Sequence, residues 1–430
     1  MEPLGNTEIL KKVRKSKSAG NLLSAILDLG KAMITCGGEI WRVKETLGMM
    51  FDTYCFKEYD VLVMSNGIHA TAKTWDGRIY TQVRQLEGTS YDLDKLERLF
   101  SLANEIQEKP LGVDRLKERV YEILDSPGIP MWKGFVGSII GACGFCLFYN
   151  GDINDVIAAG LTAVIVYYIS KQSMKVLRNI LTANVFAAFA MELIILLMVQ
   201  IGVAHHAGPV SIANIFLLIS GLGFTSGVKN LVYGDVISGI IDTSFSVLGA
   251  IGIALGITIA MFVVSGEETG VQVQPLVSGH LLQIISCTVG CTGFAILFGA
   301  KGRTIIFSAI GAAINWIIFL LTFNGSIDGL FAAILAGAAF VAFYSAVLER
   351  AVNIPSIVIL TACIFPLIPG SDLYYTVMGA IAHDYDLFQI HGRMLLLICI
   401  GISLGFIIVD VGQKYLHLFE SKVDKYKRRK

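Results

Sequence analysis

The 430 residues carry 34 Lys and Arg against 34 Asp and Glu, with 54% hydrophobic residues and a mean hydropathy of +0.66. The charges are unevenly spread: residues 1–130 hold 37 of them and residues 131–430 only 31. A wholly soluble protein, a secreted disulfide scaffold and a nucleic-acid binder with a basic face are thereby excluded. The reading is a cytosol-like α+β domain over 1–130 followed by an all-α polytopic membrane domain.

A basic run at Lys11, Lys12, Arg14, Lys15 and Lys17 precedes an amphipathic stretch rather than an uninterrupted apolar one, so no signal peptide is expected. Residues 20–36 place Leu22, Leu23, Ile26, Leu27, Leu29, Ala32 and Met33 at helical spacing. Gly37-Gly38 ends that helix, and a second runs from Glu39 to about Tyr54. Three β-like runs follow, Asp60–Met64, Ile68–Lys73 and Ile79–Val83, parted by Asn66-Gly67 and Asp76-Gly77, whose residues tolerate positive φ and favour hairpins. Residues 91–107 and 111–124 read as amphipathic helices, and Pro127 and Pro130 mark the junction with the membrane part. Glu39, Arg42 and Glu45 share one helix face, a pattern that suits a solvated, salt-bridged surface or, as the alternative, the binding of a ligand or partner. His69 has no nucleophile motif near it, and no catalytic constellation is evident in this domain. Cys143-x-x-Cys146 has metal or redox spacing, but its apolar helical setting makes both thiols packing groups. No metal or cofactor is expected.

A membrane span needs about 20 mostly apolar residues. Ten such segments run near 132–149, 154–170, 181–203, 209–228, 236–264, 279–299, 303–323, 327–347, 355–381 and 394–413. With the N-terminal domain inside, the inner loops carry Lys171, Lys175, Arg178, Lys229, Lys301, Arg303 and Arg350, and residues 414–430 form a basic cytoplasmic tail. The outer loops carry Asp152, Asp155, Glu267, Glu268, Asp328, Asp384 and Asp386. That is the positive-inside pattern for ten spans with both termini cytoplasmic.

Shifting the chain by 149 residues without gaps brings motifs into register. Gly141, Gly144 and Phe145 meet Gly290, Gly293 and Phe294; NIFLLISG (214–221) meets CIFPLIPG (363–370); Asp235 meets Asp384; and IGIALGITI (251–259) meets IGISLGFII (400–408). The membrane part therefore reads as two repeats, 131–268 and 269–413, of five spans each. An odd span number inverts the second repeat relative to the first, the architecture of secondary transporters. In such proteins substrate binds near the midplane where equivalent helices are broken. The segments richest in breakers are 217–230 and 366–379, which nominate Ser220, Gly221, Thr225, Ser226, Pro369, Gly370, Ser371, Asp372 and Tyr374 as substrate-binding residues. Half-helix N-termini there suit a carboxylate, and freed carbonyls suit an ammonium group. Ionisable residues within spans default to functional roles. Glu192 is the first candidate for proton coupling, followed by Asp242 and Asp372, with Asp235 and Asp384 at equivalent positions on opposite sides. Asn184, Asn214 and Asn315 are interhelix or substrate hydrogen bonders.

GGEIWRVKETL (37–47) followed by DVLVMSNGIHA (60–70) resembles the N-terminal domain of the threonine/serine exporter family through Gly37, Glu39, Arg42, Val43 and Thr46. FPLIPGSDLY (365–374) resembles the signature of its C-terminal membrane half through Pro369, Gly370 and Tyr374. The resemblance spans residues 20–413. It implies an inner-membrane exporter of threonine and serine driven by the proton-motive force, with a dicarboxylate such as succinate as the alternative substrate. Some members of the family divide into two chains at the place corresponding to residue 270. The expected partners are a small amino acid, protons and the bilayer, with a homo-oligomer admissible and no nucleic acid. A membrane-anchored hydrolase built on the N-terminal domain is the alternative of another class.

Overall fold

The computed structural model describes residues 17–86, 91–177, 179–266, 271–352 and 356–427. The chain divides into two compact units: Met1–Pro130 with Phe298–Lys301, and Met131–Leu297 with Gly302–Lys430.

In the first unit, α1 (Lys17–Thr35) and α2 (Ile40–Thr53) precede an antiparallel sheet of β1 (Glu58–Met64), β2 (Gly67–Lys73) and β3 (Ile79–Gln85) in that spatial order. Helices α3 (Leu93–Glu108) and α4 (Val113–Asp125) follow. The Asn-Gly turn pairs Met64 with Gly67, and the Asp76-Gly77 turn pairs Lys73 with Ile79. Period-two alternation then sets the faces: Val63, Ile68, Ala70 and Ala72 are buried, while Leu62, His69 and Val83 line the open side. Arg84 on β3 reaches α1, its Nε lying 2.6 Å from Asp28 Oδ1 and its Nη2 donating to Ser24 Oγ. The Tyr54 hydroxyl donates to Leu111 O at 2.8 Å and ties the end of α2 to the α3–α4 turn. Asp92 caps α3 by accepting from Lys95 N. The short piece Phe298–Lys301 joins this unit through Leu93 N donating to Phe298 O and Lys301 pairing with Asp94.

Cys36 and Cys55 differ sharply here. Burial, then the nearby Asp92 charge, pushes the Cys36 thiol up to about 11, whereas Cys55 is exposed. Because the thiolate is the reactive form, a maleimide at neutral pH should label Cys55 within the native protein and Cys36 only after unfolding. Peptide mapping that found equal labelling rates would contradict this placement.

The regular structure of the second unit is helical among its described residues. It comprises α5 (Met131–Phe148), α6 (Ile153–Leu177), α7 (Ile180–Gln200), α8 (Ala207–Leu218), α9 (Gly221–Val232) and α10 (Val236–Ser265). After an extended stretch come α11 (His280–Leu297), α12 (Arg303–Thr322), α13 (Ile327–Val352), α14 (Ser356–Cys363), a 3-10 turn (Phe365–Leu367), α15 (Gly370–Ile381) and α16 (Tyr385–Lys427). Helices satisfy every main-chain polar group within the segment, the condition for crossing hydrocarbon. Among the described residues eight helices are long and apolar enough to span, or nine when α8 and α9, bent by 54°, count as one. The tenth expected segment, 355–381, meets that test nowhere. It is cut into α14, the 3-10 turn and α15 around Pro366 and Pro369, and residues 353–355 lie outside the described residues.

Glycines set the closest crossings. A Cβ on Gly293 would lie 2.1 Å from Gly141 N, and one on Gly144 would lie 2.3 Å from Gly290 N, so α5 and α11 meet backbone to backbone. Gly252 and Gly256 let α10 approach α7 at Leu181 O and Val185 O, as Gly405 lets α16 approach α13 at Ala338 and Ala339. Phe145, Phe216, Phe294 and Phe365 form one aromatic cluster, with Phe294 and Phe365 stacked at 4.0 Å between centroids. The asparagines tie helices together: Asn184 donates to Gly249 O, Asn214 to Val210 O and Ala159 O, and Asn315 to Cys363 O.

Candidate functional site

Both breaker segments interrupt their helices with the same backbone geometry. Ile219 has φ −76° and ψ 133°, and Ile368, 149 residues on, has −70° and 123°. Ser220 has −87° and 57°, and Pro369 has −79° and 55°. Each pair leaves the helix for two residues, after which α9 and α15 begin at Gly221 and Gly370. These two glycines adjoin each other: a Cβ on Gly221 would stand 3.3 Å from Gly370 Cα. The N-termini of α9 and α15 therefore converge, and neither N-cap residue supplies a side-chain hydrogen bond to its helix. Two positive macrodipole ends adjoin there, with Gly370 N donating to Ile368 O at 2.8 Å and Asp372 in the first turn of α15.

Serine does at 220 what proline does at 369. Since Ile219 is extended and the φ of Ser220 is close to that of Pro369, Ser220→Pro should be accepted without strain. The expected outcome is a gain of about 0.4–1 kcal/mol in stability, from a more restricted unfolded chain. A thermal melt showing a clear loss of stability would contradict the equivalence of the two breaks.

Around the breaks, Ser371 Oγ accepts from the Tyr149 hydroxyl at 3.3 Å. Asp372, in the first turn of α15, pairs with His391 Nδ1 on α16 at 2.8 Å, and His391 in turn lies against the Tyr375 ring. Thr225 is buried with its hydroxyl 3.9 Å from Cys399 Sγ, while Ser226 is half-buried on α9. Tyr374 is wholly buried, and its hydroxyl accepts from Val271 N at 3.1 Å. Tyr375 donates to Gln272 O at 3.0 Å. The stretch joining α10 to α11 is thus held down on α15 by two tyrosines. Its Val277 N also donates to Phe148 O.

The in-span carboxylates fall into different settings. Glu192, in the middle of α7, has no exposed surface; its Oε1 accepts from Ser211 Oγ at 3.1 Å, and its Oε2 is buried without a hydrogen-bond partner. It lines a cavity of about 220 Å³ with Ser211, Met261, Val271, Gln272 and Gln274. Asp242 on α10 accepts from Asn230 Nδ2 at 3.0 Å. Asp235 and Asp384 stand at the starts of α10 and α16 and accept from Ser238 N and Leu387 N, the role of helix caps. Lys229, expected in an inner loop, instead lies within α9. It is 4% exposed, with its Nζ 4.5 Å from the Phe406 ring centroid, because α9 continues to Val232 and aromatic rings cover the ammonium.

One cluster carries metal-type ligands. Asp152, Asp155 and His206 bring candidate atoms within 4.8 Å of one another. Its oxygens are already engaged: Asp155 accepts from the main chain of Asp152, His205 and His206 and from His206 Nδ1, and His205 Nδ1 lies 2.5 Å from Asp152 Oδ2. The amide of Asp155, and then the His205 ring, hold the Asp152 carboxyl below the usual range. The group clasps the start of α6 to the turn before α8. Cys143 donates to Val156 O at 3.3 Å, and Cys146 is buried, as packing thiols are. In the first unit Glu39 accepts from Trp41 Nε1, and Arg42 lies over the Phe100 ring.

Tyr149, His391, Tyr375 and the 271–277 stretch were not singled out by sequence. The one available signal was the 149-residue offset, which sets His391 opposite Asp242.

Two family profiles match the chain. One, described as a threonine/serine exporter, covers residues 24–264. The other, described as Threonine/Serine exporter, ThrE, covers residues 283–411. No curated protein and no solved structure matches.

Proposed function

The chain belongs to the threonine/serine exporter family, and we propose that it is a secondary transporter that moves threonine or serine outward in exchange for protons. The observation that carries this reading is the pair of matched breaks, which bring two half-helix N-termini without side-chain caps together at Gly221 and Gly370. A substrate carboxylate is the natural ligand of such a pair. Ser220, Thr225, Ser226, Ser371 and Tyr374 would supply hydroxyls around it, with Asp372 fixed by His391 beside it.

Ten spans in two inverted sets of five fit the packing. The pair α7 and α10 has its counterpart in α13 and α16, α6 and α8 in α12 and α14, and α9 and α10 in α15 and α16. The cross-contacts α9 with α16 and α10 with α15 are likewise exchanged. The α5–α11 crossing, with Gly141 and Gly144 against Gly290 and Gly293, lies where an axis relating the halves would run. Two such halves can exchange conformations and alternate access to a shared site. The basic loops and the 414–430 tail favour cytoplasmic termini and a cell-membrane location. Glu192 is the coupling carboxylate of this reading, since Asp235 and Asp384 serve as caps and Asp242 is bonded to Asn230.

A dicarboxylate would require positive side chains at the breaks, and Lys229 is turned to aromatic rings instead. Proteoliposomes loaded with labelled threonine should release it faster when the outside is acidified. Serine outside should exchange with it, and succinate should not. Release that ignores the pH gradient, or that responds to succinate and not to serine, would refute the proposal.

A further inference from the structure

Resting on the exporter reading, we infer that the cavity bounded by Glu192, Ser211, Gln272 and Gln274 is a second station for the substrate, apart from the breaks at Gly221 and Gly370, that binds its primary ammonium group, and that proton and ammonium compete there for one carboxylate. The cavity measures about 220 Å³. That is several times the roughly 30 Å³ share of a liquid water molecule, and below the roughly 300 Å³ at which drug-sized pockets begin. Its size suits one small zwitterion.

Its chemistry is one-sided. Glu192 contributes the one formal charge among the described residues lining it. Ser211 gives its proton to Glu192 Oε1, so its lone pairs remain acceptors. Gln272 and Gln274 add amides, the Gln274 Nε2 being spent on Gln272 O. An ammonium group has three donors and no acceptor, and this wall offers it a carboxylate, a hydroxyl oxygen and amide oxygens. Glu192 Oε2 is buried without a hydrogen bond. A carboxylate oxygen in that state is tolerable in an apolar interior only when the group holds a proton or a cation. Tyr374 on α15 is bonded to the cavity wall, its hydroxyl accepting from Val271 N at 3.1 Å. The other described residues lining the cavity, Ala207, Gly208, Met261 and Val271 among them, are neutral.

The exchange balances. A protonated Glu192 meets an ammonium ion, its proton leaves, and the carboxylate and ammonium form an ion pair. One proton is released for each ammonium bound, so antiport follows from occupancy of a single group.

Three probes separate the parts of threonine. L-threonine is complete, 1-amino-2-propanol lacks the carboxylate, and 3-hydroxybutyrate lacks the amine. Binding to purified full-length protein should weaken about tenfold per pH unit on the acid side for both amines, with no such slope for 3-hydroxybutyrate. Glu192→Gln should weaken both amines by about tenfold to a hundredfold, the loss expected for one charged hydrogen bond, and erase the slope. Ser211→Ala, which keeps the charge, should weaken 1-amino-2-propanol several-fold and retain the slope, so the test survives if Glu192→Gln fails to fold. Unchanged amine affinity in either variant overturns the inference. If wild-type vesicles transport threonine while Glu192→Gln binds it normally, the ammonium site falls and the exporter reading stands. If they move no threonine but 1-amino-2-propanol binds with a Glu192-dependent pH slope, the ammonium site stands and the threonine reading falls.

Discussion

Glu192→Gln is expected to eliminate threonine movement driven by a pH gradient while leaving the protein folded. Glutamine matches glutamate in shape, and its amide can keep the bond that Ser211 Oγ makes to Oε1. What it cannot do is bind and release a proton. Because Glu192 has no exposed surface and Oε2 has no partner, the substitution replaces a group that must be kept protonated by a neutral one of the same shape, so thermal stability should hold. A structural role predicts the opposite pairing, in which stability falls and the pH dependence of whatever transport survives is unchanged. Melting curves and efflux rates measured on the same preparations distinguish the two.

The second large effect concerns the crossing of α5 and α11. Gly293→Leu places a Cβ 2.1 Å from Gly141 N and Gly144→Leu places one 2.3 Å from Gly290 N. The obstacle in each case is backbone, which cannot rotate aside as a side chain can, so the helices must separate. Overpacking into flexible neighbours costs about 1–3 kcal/mol, and this collision should exceed that range. Both variants should fail to yield monodisperse protein after extraction. Gly412→Leu, whose Cβ would meet nothing within 4 Å, is the control and should stay within about 0.5 kcal/mol of the parent. A folded, active Gly293→Leu protein would show that the crossing is looser than described.

Much of the fold was legible because local chemistry decides it. Asn66-Gly67 and Asp76-Gly77 can adopt hairpin turns that bulkier residues resist, and the register of the three strands follows from those turns. Long apolar stretches must become helices in a bilayer, so the span positions were readable even where breaks divided them. The breaks themselves were visible as Pro369 and the glycines around 221, and Ser220 proved able to copy the proline conformation. The partners of the candidate residues were not legible. Tyr149 meets Ser371 across 222 residues of chain, and Tyr374 reaches a main-chain amide at Val271 across 103. No periodicity encodes such meetings, because packing of whole helices creates them. The 271–277 stretch is illegible in sequence for a related reason. It is neither apolar enough to be a span nor regular, yet two tyrosines fix it beside Glu192. Lys229 was misplaced because a lone cation at a span end reads as a loop charge, whereas aromatic rings on two helices enclose it.

The most direct test uses a pH-sensitive dye sealed with threonine inside proteoliposomes, which are then diluted into threonine-free medium at the same pH. Outward threonine movement should draw protons in, so the lumen should acidify, at a rate that rises with the threonine load and vanishes in Glu192→Gln. Threonine that leaves while the lumenal pH holds steady, or an acidification that persists in Glu192→Gln, would contradict the account.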